Sequence, residues 1–366
     1  MKSIILILGM VFLAAVPALA GDFAVLKSIY EKSAADYVEE LTPEEIALPA
    51  LKALNLMDKK IRIADDAKRV SLYYGGRFVL GVLKPQNAEA DDWARLTVRI
   101  IDKAKQISPE LDRRDFEIID TVMPAAFASL AHDNAYYPDL DVSRGKIRRP
   151  KLYFSDRMIG TALYIKSGAF NKYTVPNIEK SLSEHPEAEA LILDLRGNPG
   201  GLLSEAVALA GLFIDEGIIV STRGRSPDSV KYYTAEAGDI FDSRPMVVLI
   251  DAATASSAEV LAAALQEQGR AKLVGTRSYG KGTVQKLISL ENRSELALTN
   301  AYFYTPSGNK IDKKGLNPDY CTFEAEEDVS PATIIKRGTV DCGAENRETR
   351  NLDIEVAAEL LKDKRR

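Results

Sequence analysis

Two kinds of hydrophobic spacing divide the chain. Over residues 21–140 the apolar positions recur mostly at helical spacing, beginning with the stripe Phe23, Leu26, Ile29 and Tyr30. Thr42-Pro43-Glu44-Glu45 is a capping box with proline at the first helical position, and it opens a second helix running to about Leu54. Val70, Leu72 and Tyr74 alternate up to Gly75-Gly76, and Phe78, Leu80 and Val82 alternate after it, which predicts a tight two-residue hairpin. Further helices are predicted around Trp93 to Ala104 and from about Arg114 to Ala131, with Pro124 placed to kink the latter. This N-terminal helical region offers packing surfaces, or a homodimer contact through its helices, and no evident chemistry.

From Ile159 the pattern changes to short apolar runs alternating with helical stretches. Ile159 to Ile165 reads as a strand, Val175 to Ser183 as a helix, and Ala190 to Leu195 as a buried strand. Helix Ser204 to Phe213 and strand Ile218 to Thr222 follow, then strand Val247 to Ile250, helix Ala258 to Gln268 and strand Ala271 to Gly275. Leu287 to Leu290 and Leu296 to Tyr304 suit an antiparallel pair. The alternation predicts a layered α/β catalytic domain over 159–366, joined to the helical region by a connector over 141–158.

Composition narrows the function. With 366 residues, 46% hydrophobic and 28% charged, the chain is long enough for two domains, and a net charge of −5 speaks against nucleic acid as a partner. The basic run 144–151 reads as a solvated connector. Residues 1–20 have the form of a signal peptide: Lys2, an apolar stretch from Ile4 to Ala15, and Ala18-Leu19-Ala20 before Gly21. The expectation is an exported protein, periplasmic or extracellular, held at the membrane only if that segment stays uncleaved. In such a compartment the two cysteines, Cys321 and Cys342, suit a single disulfide. With only His132 and His185 besides, neither suitably spaced, no metal is expected, and no cofactor is implied.

The candidate chemistry lies between Pro245 and Gln285. Ser256 and Ser257 stand where a strand gives way to a helix, outside the carboxyl end of the strand and beside unpaired helix N–H groups. A serine there is commonly only a cap. Lys281, set between Gly280 and Gly282, can turn inward, and a lysine serves as general base when desolvation disfavours its ammonium form. Gln285 is placed to orient the amine without adding charge. A Ser-His-Asp triad is poorly supported, and no Gly-x-Ser-x-Gly elbow occurs. Gly275 to Lys281 matches the start of a Walker A loop, but Gly282 stands where a hydroxyl is needed and a strand is predicted next. Gly200 or Gly201 in the turn after Asp194, together with the Ser257 N–H, can bind an oxyanion. Asp194 and Arg196 are read as an ion pair bracing that turn.

Four stretches resemble the C-terminal processing, or tail-specific, serine peptidase family: Leu191 to Leu203, Asp251 to Leu265, Val274 to Gln285 and Tyr304 to Tyr320. The resemblance covers roughly Ile159 to Tyr320, with a weaker tail at Leu352 to Leu361. It implies α/β layering of the crotonase-like ββα type and protein or peptide substrates. It also implies Ser256 as nucleophile, Lys281 as base, Gln285 as its orienter, and Gly200 or Gly201 with Ser257 as oxyanion donors. Three features depart from the family. Ser256 and Ser257 are adjacent, where family members alternate serines with small residues, which leaves Ser257 as the alternative nucleophile. The usual PDZ domain has no room between Tyr137 and Met158, and the Cys321 to Cys342 segment is an addition. A catalytically silent peptide-binding scaffold, or an enzyme of the enoyl-CoA hydratase type, remains the alternative.

Overall fold

A computed structural model describes residues 16–366 except 88, 113–117, 139–152, 237, 324, 326–328, 347–350 and 364–366. The start of the expected signal peptide, the basic run and most of the connector therefore lie outside the described residues. The chain forms two compact units. One comprises Met1–Gly145 with Gln285–Thr299, and the other Lys146–Val284 with Asn300–Arg366.

The first unit contains helices α1 (Val16–Asp36) and α2 (Pro43–Lys52), strands β1 (Ile61–Asp65), β2 (Arg69–Tyr74) and β3 (Arg77–Leu83), helices α3 (Ala90–Ile107), α4 (Pro109–Asp112) and α5 (Ile118–Ala128), and strand β4 (Ala135–Tyr137). The hairpin at Gly75-Gly76 pairs Tyr74 with Arg77. A third antiparallel strand, β1, joins it; its two buried isoleucines, Ile61 and Ile63, are too short a run to stand out among charges. Of the helix expected from about Arg114 to Ala131, the described part is Ile118–Ala128, and its expected start lies outside the described residues.

The second unit carries β5 (Phe154–Ile159), β6 (Ala162–Ser167), α6 (Thr174–Glu184), β7 (Ala190–Asp194), α7 (Leu203–Gly211), β8 (Gly217–Arg223), β9 (Lys231–Ala235), β10 (Met246–Ile250), α8 (Ser257–Glu267) and β11 (Lys272–Gly275). Strands β12 (Thr283–Ser289) and β13 (Glu295–Tyr304) form a hairpin whose tip belongs to the first unit, and β14 (Tyr320–Cys321), α9 (Pro331–Arg337) and α10 (Leu352–Asp363) complete the chain. The main sheet has the order β14-β11-β10-β7-β6-β5. Its pairings are parallel except for β5 with β6. Ile159 to Ile165 is thus not one strand: it holds the last residue of β5, the Gly160-Thr161 turn and the first four residues of β6, because Gly160 takes φ +61 and reverses the chain.

Central strands β7 and β10 are buried at every position. Alternate residues feed two cores, since strand side chains point to opposite faces. Leu191, Leu193, Val248 and Ile250 pack with α7 and α8, whereas Ile192, Val247 and Leu249 pack with Val356 and Ala357 of α10. Each fully buried aliphatic side chain contributes about 1.5–3 kcal/mol. This two-sided burial fixes the height of the carboxyl ends of β7, β10 and β11, from which the candidate chemistry projects.

Candidate active site

Three turns leave the carboxyl ends of three adjacent parallel strands, the usual site position in an open α/β sheet. The Leu195–Leu202 turn follows β7, the Asp251–Ser256 turn follows β10, and the Thr276–Gly282 loop follows β11. Asp251 joins the first two, accepting the Gly197 N–H at 2.9 Å as well as the Ala253 N–H at 3.0 Å. Thr254 donates its hydroxyl to the Leu195 carbonyl at 2.9 Å, and Asn198 accepts the Ala255 N–H through its carbonyl at 2.9 Å.

Ser256 caps α8 in a strained conformation, φ 57 and ψ −126. A side-chain-bearing residue held there costs about 1–3 kcal/mol and persists only where its surroundings impose it. This is a sharp strand-to-helix elbow without flanking glycines. The room for it comes instead from Gly200 on the neighbouring turn. A Cβ at Gly200 would lie 2.8 Å from the Ala255 carbonyl oxygen and 2.9 Å from the Ser256 Cβ. Ser256 is half-buried, whereas Ser257 is 1% exposed and donates its hydroxyl to the Gly201 carbonyl at 3.2 Å.

Glu259, fully buried, ties the elbow to the lysine loop. Its Oε2 accepts the N–H groups of Ser256 and Lys281, each at 2.9 Å. Its Oε1 accepts the Gly280 N–H at 2.8 Å and the Ser278 hydroxyl at 2.5 Å. Burial raises the Glu259 carboxyl above its usual range, against the pull of these four donors towards the ionised form.

The glycine turn distinguishes its two candidate donors. The Gly200 N–H is already bound to Asn198 Oδ1 at 2.8 Å. The Gly200 carbonyl accepts the Phe170 N–H at 2.9 Å, so across the trans peptide the Gly201 N–H points away from Phe170. Gly201 itself admits no side chain, because a Cβ would fall 2.0 Å from the Phe170 carbonyl oxygen. Arg196 braces the base of the turn with Asp194 (2.6 and 3.0 Å) and reaches Asp353 of α10 at 3.0 Å. Tyr164 adds its hydroxyl to Asp194 at 2.6 Å.

Lys281 lies in the second unit with its N–H fixed by Glu259, and the chain continues into strand β12. No helix follows the loop, which removes the basis for phosphate binding in the Walker manner. Gln285 belongs to the first unit, where its Nε2 donates to the Asp133 carbonyl. His185 is engaged with Glu187 at 3.2 Å, on the loop before β7. Glu259, Asp251, Asn198 and Ser278 carry much of this geometry and are not among the residues that the sequence pattern points to. The first had a signal, since Ser256-Ser257-Ala258-Glu259 has the spacing of a capping box.

Residues 161–322 match the model of peptidase family S41. A carboxy-terminal-processing protease of Bartonella bacilliformis is 39% identical over 169 residues, which are 44% of this chain and 39% of the relative. The carboxy-terminal processing protease CtpA of Bacillus subtilis is 36% identical over 184 residues, 49% of this chain and 39% of the relative. The match thus spans about two fifths of the length of these curated relatives. Among solved structures, the photosystem II D1 C-terminal processing protease is 28% identical, with a TM-score of 0.41 over 51% of this chain and 47% of that one. The glycine turn, the serine elbow and the lysine loop all fall, in that order, inside the one stretch that matches peptidase family S41 and is similar to carboxy-terminal-processing proteases.

Proposed function

We propose that this protein is an exported serine endopeptidase that cleaves protein or peptide substrates through an acyl-enzyme on Ser256. The observation that carries this reading is the strained Ser256 elbow against a glycine turn, with the Ser256 and Lys281 backbones held by one buried carboxylate oxygen. In the proposed reaction Lys281, as the neutral amine, takes the Ser256 proton while Oγ attacks the scissile carbonyl. The N–H groups of Gly201 and Ser257 meet the developing oxyanion. Lys281 then protonates the leaving amine, and water releases the acyl group. Gln285 is assigned to orient that amine, the role the family resemblance implies for it. The two curated relatives are named for processing at a carboxyl terminus, which favours chain ends as the cut site here as well. Export is supported by the buried Cys321–Cys342 disulfide, a bond that persists in oxidising compartments.

A fluorophosphonate probe followed by peptide mapping tests this reading. Label on Ser256, absent from Ser256→Ala, is the expected result. A folded wild-type protein that takes no label would favour the silent scaffold.

A further inference from the structure

The segment Val340–Glu345 takes no part in the chemistry above, yet it reaches both loops that carry it. Asn317 holds its start, donating to the Val340 carbonyl at 2.6 Å and accepting the Cys342 N–H at 2.9 Å. Cys342 is bonded to Cys321 at the end of β14, and its Sγ lies 3.7 Å from the carbonyl oxygen of Gly275 at the end of β11. The Gly343 carbonyl then accepts the Arg277 N–H at 2.9 Å. Finally, one carbonyl serves both loops. Glu345 accepts the Ala252 N–H at 3.0 Å and the Thr276 hydroxyl at 2.5 Å, while its own N–H donates back to Thr276 Oγ1 at 3.2 Å.

Ala252 lies on the turn that leads to Ser256, and Thr276 and Arg277 lie on the loop that leads to Lys281. Glu259 joins the far ends of the same two loops. Each loop is therefore held at two points, by a carboxylate beside the reacting groups and by the strap near the strand ends. We propose that this disulfide-anchored strap is a positioning element for the reaction, setting the separation of the Ser256 turn and the Lys281 loop. Cys321, Cys342 and Thr276 are its positioning residues; none of them touches substrate. The inference rests on the peptidase reading for its catalytic consequence, though not for its structural one.

A brace that only stabilised the β14 edge would look similar in a melting curve, so the test needs a second readout. Three variants serve: the double variant Cys321→Ala/Cys342→Ala, Thr276→Val, which removes the hydroxyl at nearly constant shape, and Thr276→Ser, which restores it. Hydrogen exchange of the 276–282 peptide and the rate of Ser256 labelling by the fluorophosphonate are measured on each folded protein. The double variant and Thr276→Val are expected to exchange faster in that peptide and to label about tenfold more slowly, since small displacements of reacting groups are costly in rate. For casein hydrolysis kcat falls while KM holds, and Thr276→Ser returns both readouts towards wild type. Exchange and labelling at wild-type rates in Thr276→Val would overturn the proposal, even if the melting midpoint drops. Should the double variant not fold, Thr276→Val and Thr276→Ser decide alone. If the wild type itself takes no label, the peptidase reading fails, and the exchange data still decide whether the strap positions the loop.

Discussion

Oε2 of Glu259 lies 2.9 Å from the backbone nitrogen of Ser256, and the residue that holds this elbow in place has no exposure to solvent. The same oxygen takes the Lys281 N–H at 2.9 Å. A carboxylate with four donors around it has no spare acceptor geometry, so the separation of the two loops is set by the size of one functional group. The elbow's strain, about 1–3 kcal/mol, is offset locally by these charge-assisted bonds.

Replacing Glu259 with Gln puts an amide NH₂ where N–H and O–H donors converge, and at least one donor loses its partner. A stability loss of about 1–3 kcal/mol is expected, together with slower Ser256 labelling. Urea unfolding beside the labelling assay checks both. A variant as stable and as reactive as wild type would remove Glu259 from the account.

The pH dependence of that difference has a definite sign. Burial raises the Glu259 carboxyl, so the native state binds this proton more tightly than the unfolded chain does. Stability from this group is therefore fully present at low pH and falls as pH rises from the ordinary carboxyl value through the raised folded one, levelling off above it. Glu259→Gln does not titrate. The stability gap between wild type and Glu259→Gln should shrink as pH rises across that window, and urea unfolding at a series of pH values measures it. A gap that widens would contradict the assignment.

Gly200→Ala should fold poorly or label slowly, because φ +95 is unfavourable for a side chain and the added Cβ meets the Ala255 carbonyl and Ser256 itself. Gly201→Ala is expected to be more severe, since its Cβ would overlap the Phe170 backbone. Where the variants fold, loss of a properly aimed oxyanion donor corresponds to a fall of ~10²–10³ in rate. Circular dichroism with labelling kinetics separates the two effects.

Arg196 predicts a stability effect. Arg196→Met leaves Asp194 and Asp353, both fully buried, without their shared cation. The expected cost is about 3–5 kcal/mol, measured by denaturant unfolding. Asp353→Asn keeps the Asp194 pair and should cost less.

The hydrophobic pattern alone marked β7, β10, α8 and β11, because a strand buried on both faces reads as a continuous apolar run and an alanine-rich helix follows it directly. It missed β9, whose Lys231 and Tyr232 face solvent and dilute the signal, and it merged β5 and β6 across Gly160. Ser256 was legible from its junction, and Arg196 from its place beside Asp194. Glu259 was not, since a helix-start glutamate is ordinarily a solvent-facing cap, and only tertiary packing of the Ser278–Lys281 loop above it makes it a buried hub. The strap from Val340 to Glu345 has no periodicity at all, and its bonds run through backbone atoms that no side-chain pattern records.

Everything proposed for the site depends on Ser256 being the nucleophile of a peptidase. Casein hydrolysis by the wild type and by Ser256→Ala, each shown to be folded, measures it most directly. The wild type is expected to degrade casein and the variant to lose at least ~10³ of that rate, as removal of a covalent nucleophile does. Equal hydrolysis by the two proteins would contradict it.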